Sequence, residues 1–304
     1  MSGRIGVFGE SLVDIVVGGE EHPGGSPMNV AVGLARLGHP TVLHSRVGSD
    51  VRGDRIRAHL AEAGVETGER TMADGASWTA TATLDDEGRA QYAFALPGDI
   101  EVPDLSGLAL LHTGSIGALR DPGSSALLAA LRAAPASMLR CLDPNIRAEV
   151  IGPAEAARDR VRELALECHV VKLSDEDAAW LLPGRDPADA LALLADLGVR
   201  FAVMTMGDQG CLAVVDGRRI ERPAIPVVLA DTIGAGDAFM SGLLAALLRD
   251  GTDRLLAAGA PVPEAAAIAA LDTALASAAV AVSRAGAEPP YPAELARMLE
   301  TRGR

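Results

Sequence analysis

The chain has 304 residues, long enough for one large α/β domain or two small ones with a buried core. Its 27 basic residues against 41 acidic ones give a net charge of −14 and a pI near 4.8, which argues against a broad phosphate-backbone surface for DNA or RNA. Cys141, Cys168 and Cys211 and the six histidines are scattered without metal-ligand or redox spacing, so the thiols read as buried and reduced. The first ten residues lack the basic and apolar blocks of a secretory signal. Apolar runs such as 242–248 are closed by charges before they span a bilayer, so the reading is a cytoplasmic protein with no membrane segment.

In chain order, 4–8 is a short apolar run ending at Gly9, 27–37 has helical character and 41–47 is a second apolar run. The strand–helix–strand pattern recurs, with apolar runs at 108–112, 138–142, 169–173 and 201–206 separated by Ala/Leu/Arg-rich stretches. Such alternation predicts a parallel sheet covered on both faces, which is why the runs are almost continuously apolar. Residues 78–84 (WTATATL) and 91–96 (QYAFAL) break the rhythm, and Asp85-Asp86-Glu87-Gly88 between them reads as a hairpin turn. With 12–17 they predict a small antiparallel sheet beside the main one. Beyond about Gly234 the chain turns helical, with a long Ala-rich helix over 263–283, and no linker or internal repeat divides it.

Two segments carry chemistry. Asp231-Thr232-Ile233-Gly234-Ala235-Gly236-Asp237-Ala238-Phe239 leads into a helix through Leu248. Three small residues there let backbone N–H groups approach an anion, the helix dipole adds positive potential, and a carboxylate in the first turn lies beside the cradle. That arrangement suits phosphoryl transfer with Asp237 as base. Taken alone, the segment is equally an ordinary Gly-rich helix start with a stabilising N-terminal carboxylate. The second segment is Gly24-Gly25-Ser26-Pro27-Met28-Asn29-Val30-Ala31, in which Ser26 reads as the N-cap, Pro27 as the first helical residue and Gly38 as the helix stop. The paired glycines and the polar Asn29 exceed what capping requires, and together they suit a polyol.

The stretches GGSPMNVAVGLARLG (24–38) and DTIGAGDAF (231–239) resemble the two signature regions of the ribokinase/PfkB sugar kinases, in the same order and at a similar separation. GESLVDI (9–15), DPNIR (143–147), VKLSDED (171–177), TMGDQG (205–210) and SRAGA (283–287) resemble the fructokinase-like branch. The resemblance implies one ribokinase-like three-layer α/β/α domain over 1–304, with a mostly parallel central sheet and a β-sheet lid formed by about 12–22 and 74–98. It implies Asp237 as catalytic base, the amides of Gly234, Ala235 and Gly236 as anion hole, and Asp14, Gly24, Gly25 and Asn29 around the sugar. It places ATP on Ser174, Thr205, Gly207 and Gly210, and Mg²⁺ near Asp177 and Glu176, where many relatives carry Asn-x-x-Glu. A K⁺ site is implied at Asp231 and Gly286, and a homodimer through the lid. Phe94-Ala95-Leu96 stands where keto-sugar-acid kinases often carry an aromatic-Tyr-Arg triplet. Fructose is therefore the leading substrate ahead of 2-keto-3-deoxygluconate, another sugar or a nucleoside.

Rival classes fare worse. Lys172 is the sole lysine and no Gly-x-x-x-x-Gly-Lys-Ser/Thr surrounds it, which excludes a P-loop kinase. No Gly-x-Gly-x-x-Gly follows the first strand, against a Rossmann dehydrogenase. A non-catalytic sugar-binding protein has no need of a carboxylate beside a phosphate cradle.

Overall fold

Each apolar run becomes a strand whose side chains alternate between two cores. Phe201 and Val203 face one core while Ala202 and Met204 face the other, and Leu110 and Leu111 divide in the same way. The computed structural model describes residues 3–16, 19, 21–84 and 90–302. Its strands are β1 (Arg4–Phe8), β2 (Leu12–Val16), β3 (Glu21–Gly24), β4 (Thr41–His44), β5 (Glu66–Thr67), β6 (Trp78–Leu84), β7 (Ala90–Ala95), β8 (Leu108–Gly114), β9 (Leu139–Asp143), β10 (Val170–Ser174), β11 (Phe201–Thr205), β12 (Cys211–Val215) and β13 (Arg218–Arg222). Among the described residues the main sheet runs β13-β12-β11-β10-β9-β8-β1-β4-β5. It is parallel from β11 to β5, and β12 and β13 return antiparallel at one edge.

Helices cover both faces. Val30 and Leu34 of Ser26–Arg36, Phe239 and Leu243 of Ala235–Asp250, and Leu271 and Ala274 of Glu264–Val282 complete one core. Leu127 of Gly123–Ala133, Val161 and Leu164 of Ala154–Leu166 and Leu191 of Asp189–Asp196 complete the other. Glu264–Val282 is the one helix among the described residues long and apolar enough to cross a membrane, and most of it is buried in the first core. The three thiols are free and buried; burial pushes Cys168 and Cys211 up to about 12.

The small sheet has the order β3-β2-β6-β7 and is mixed, not antiparallel throughout: β2 pairs parallel with β6. Between β3 and β6 the chain passes through the main sheet, so it re-enters the small one running with β2. The expected turn at 85–88 lies outside the described residues. Trp78 is buried inside this sheet's attachment, its indole N–H donating to the Pro97 carbonyl at 2.9 Å, whereas Tyr92 is half exposed and stacks on Phe94. Glu21 on β3 accepts from Arg52 and Arg55 of the helix Val51–Ala63, pinning the small sheet to the main body.

Two helices of the first core lie in close approach. A Cβ on Gly33 would run into the Ser241 side chain, so only glycine lets Ser26–Arg36 and Ala235–Asp250 pack this tightly. That contact brings the N-terminal ends of both helices to one place, at the C-terminal edge of the parallel strands, where open α/β sheets hold their ligands.

Candidate active site

Asp237 stands in the first turn of Ala235–Asp250. Gly234 caps that helix with φ 73, and a Cβ there would come within 2.7 Å of Ala287, so glycine is required on both conformational and steric grounds. Among the described residues no side chain caps the helix; the Ala235 amide donates to the Thr232 carbonyl at 3.2 Å, and the helix start keeps its positive potential toward an anion. The Asp237 side chain is only 8% exposed and is held from the other helix: Ser26 Oγ donates at 2.6 Å and Asn29 Nδ2 at 2.8 Å, one to each carboxylate oxygen. Ser26 is therefore not the expected N-cap. Gly25 takes that position with φ 113, and the Ser26 hydroxyl is spent on Asp237 instead. Gly38 does end the helix as expected, with the His39 amide on the Leu34 carbonyl and the Gly38 amide on that of Ala35.

Asp14 lies on β2 of the small sheet, near enough to Asp237 for the two charges to interact. Burial raises its carboxyl to about 6, the Arg147 guanidinium and His22 oppose that rise, and Asp237 adds to it. The paired glycines leave room for different neighbours, and Gly24 leaves it for this carboxylate. A Cβ on Gly24 would fall inside the Asp14 carboxylate, and one on Gly25 would lie 2.7 Å from the Glu10 carbonyl oxygen. Glu10 is itself buried, accepts the Gly117 amide at 2.9 Å, and has its carboxyl raised by desolvation. Arg147 is exposed and makes no ion pair among the described residues.

Across the cleft the ends of β9, β10 and β11 come into line, with Ser174 level with Thr205. Sequence reasoning assigned no role to Lys172 and Asp143. Lys172 Nζ donates to Asp143 Oδ2 at 2.9 Å, with both side chains buried, and a Cβ on Gly236 would sit 2.9 Å from that nitrogen. The ammonium thus abuts the anion cradle. Asp143, Asp177 and Asp237 together hold Lys172 in its charged form against desolvation, while burial lifts the Asp143 carboxyl to about 6. The signal in the sequence was a lone lysine inside an apolar strand, which must be paired if it is buried.

Asp177 and Glu176, the residues expected near Mg²⁺, differ in their surroundings. Asp177 is buried with both oxygens on backbone amides, Ile146 at 2.8 Å and Ser174 at 2.9 Å, and its own amide donates to Ser174 Oγ; this is a reciprocal capping box. Glu176, its neighbour, is exposed. No group of three or more His, Cys, Asp or Glu residues among the described residues is placed to cage a metal. Thr205 ends β11 with its hydroxyl on the Leu173 carbonyl, and Gly207 and Gly210 take φ 54 and 96 in the tight turn that follows. Asp231 and Gly286 do meet: Asp231 accepts the Gly286 amide at 2.9 Å and the Ile233 amide at 3.0 Å, which holds its carboxyl low.

Residues 7–294 match the pfkB family of carbohydrate kinases. The chain is 37% identical over 280 residues to a fructokinase of Klebsiella pneumoniae, covering 86% of this chain and 90% of that protein. It is 31% identical to fructokinase-2 of Zea mays, over 80% of this chain and 79% of the other. A double mutant of the Vibrio cholerae O395 fructokinase, solved with fructose, ADP and potassium ion, superposes with a TM-score of 0.82 at 26% identity, over 98% of each chain. With its two signature segments joined at Asp237 and the match running almost end to end, the chain belongs to the pfkB family of carbohydrate kinases.

Proposed function

We propose that this carbohydrate kinase transfers the γ-phosphoryl group of ATP to a hydroxyl of fructose. The observation that carries the reading is Asp237, a buried carboxylate at an uncapped helix N-terminus, oriented by Ser26 and Asn29. Asp237 takes the proton of the sugar hydroxyl as its oxygen bonds to the γ-phosphorus, and the bond from that phosphorus to the β–γ bridging oxygen breaks, releasing ADP. The amides of Gly234, Ala235 and Gly236 receive the charge on the transferred group.

Asp14 and Gly25 line the sugar's side of the cleft, and Asn29 serves it from Asp237. Gly24 contributes by leaving room for Asp14. ATP lies along Ser174, Thr205, Gly207 and Gly210, whose tight turn frees backbone for close approach. Mg²⁺ fits as an ion carried by the nucleotide's phosphates, since Asp177 is committed to backbone amides and Glu176 faces solvent. The joined Asp231–Gly286 loop is the place for K⁺. The small sheet acts as a lid over the sugar, excluding water from the transfer. A second copy pairs along the lid, where Tyr92 and Phe94 present stacked rings.

The fructokinases among the relatives favour fructose over other sugars. ADP release from Mg·ATP across fructose, ribose, glucose, tagatose, 2-keto-3-deoxygluconate and nucleosides tests the assignment. Strong turnover on fructose alone is expected. Strong turnover on another acceptor with fructose inert would replace the substrate, and sugar binding without turnover on any acceptor would make the protein a binder.

A further inference from the structure

Lys172 is a buried cation at the cleft, paired with Asp143, that the reaction above leaves unused. We propose that Lys172 is a further catalytic residue of the phosphoryl transfer, its ammonium held by Asp143 against Gly236 so that it contacts the γ-phosphoryl group as the group moves. The proposal deepens the kinase reading and rests on it.

Three observations carry the inference. Lys172 is 4% exposed, and the hydrogen bond to Asp143 is the one its ammonium makes among the described residues, leaving two of three N–H donors for a ligand. Those donors lie beside the cradle: a Cβ on Gly236 would come within 2.9 Å of Nζ, which puts the ammonium directly against the backbone between Ala235 and Asp237. Asp143 has one oxygen on Lys172, while its other, Oδ1, is buried without a partner among the described residues, an arrangement costly for a group whose only task is structural. The orphan oxygen and the spare donors belong to the same ion pair at the end of β9 and β10. The spare ammonium donors fit an anionic group of the substrate, whereas Oδ1, an acceptor, can take only a donor or a cation.

The division of labour follows from charge. The Gly234–Gly236 amides offer partial charges fixed in the backbone, whereas Lys172 adds a full positive charge in a place shielded from water, where it acts most strongly on the oxygens of the moving group. Asp143 is a positioning residue that keeps the flexible lysine stem aimed at the cradle.

Because Lys172 is the only lysine, protein labelled with ¹⁵Nζ-lysine gives a single side-chain ammonium signal. Adding fructose, ADP and aluminium fluoride, a mimic of the moving phosphoryl group, should shift that signal; fructose and ADP alone should shift it little. Lys172→Met should lower kcat by roughly 100-fold or more, the scale for losing one charge-stabilising donor. It should also weaken binding of the aluminium fluoride complex far more than that of ADP or fructose. Lys172→Met strands Asp143 as a buried unpaired charge and will melt early, so the decisive protein is Lys172→Met combined with Asp143→Asn, which removes both charges and recovers the melting temperature. Turnover of that double variant should remain low. Recovery of turnover, or an ammonium signal indifferent to the analogue, would show that Lys172 merely neutralises Asp143. A wild-type enzyme inert toward every acceptor would instead overturn the kinase reading itself.

Discussion

Asp237→Asn preserves the shape of the side chain and removes only its charge and its basicity. The amide oxygen still accepts from Ser26, but the new NH₂ faces Asn29 Nδ2, a donor opposite a donor, which Asn29 relieves by turning its own amide over. Replacing two charge-assisted hydrogen bonds by neutral ones costs about 1 kcal/mol each, and losing a first-turn carboxylate about 0.5 kcal/mol more. Removing the repulsion between Asp237 and Asp14 returns part of that. A net loss of roughly 2 kcal/mol leaves nearly all of a domain of ordinary stability folded, and lowers the melting temperature by less than about 10 °C. Turnover, by contrast, should fall by roughly 10² to 10⁴, because the hydroxyl must now attack without a base. Paired measurements of ADP release and melting temperature, with fructose and nucleotide binding by calorimetry, separate the two effects. Turnover within about tenfold of wild type in a variant that binds both ligands would refute the role of Asp237, since general-base removal is not so mild.

Two further outcomes follow from buried groups. Burial raises Asp14 to about 6 in the folded protein against 3.8 for an unburied aspartate, so the carboxylate proposed for the sugar hydroxyls becomes protonated as pH falls through that value, and the KM for fructose should rise below pH 6. The stability linked to a raised carboxyl is present in acid and lost as pH climbs past about 6. Asp14→Asn should therefore melt higher than wild type at pH 8, melt alike at pH 4, and flatten the KM profile. A profile that stays steep in Asp14→Asn would assign it to another group. At the helix contact, Gly33→Ala drives a methyl into Ser241 and should cost about 1–3 kcal/mol by denaturant titration, part of it recovered by adding Ser241→Gly. No loss in the single variant would mean the helices separate freely.

What the sequence made legible was whatever depends on neighbours along the chain. The apolar runs, the uncapped helix start at Gly234 and the helix stop at Gly38 are local, and all appear near where the pattern put them. Two local signals went unused. Ser174-x-x-Asp177 is a capping box; Asp216-Gly217, with both residues left-handed, is the turn that joins β12 to β13. The rest is tertiary. Nothing between residues 26 and 237 says that Ser26 and Asn29 grip the opposite carboxylate, because that depends on how closely two helices approach at Gly33.

Gly24 is readable as a glycine, yet its cause is the Asp14 carboxylate arriving from the adjacent strand, and Gly236 is explained only when Lys172 comes in from β10. At these two positions a charged group lies where a Cβ would stand, whereas Gly234 faces Ala287 and Gly25 the Glu10 carbonyl. The same logic separates Asp177 from Asp143, two of the three carboxylates in Lys172's field. Asp177 has both oxygens on amides and holds the loop, whereas Asp143 has one oxygen without a partner among the described residues and Lys172 keeps two donors, so the unspent donors of the cleft lie beside Gly236.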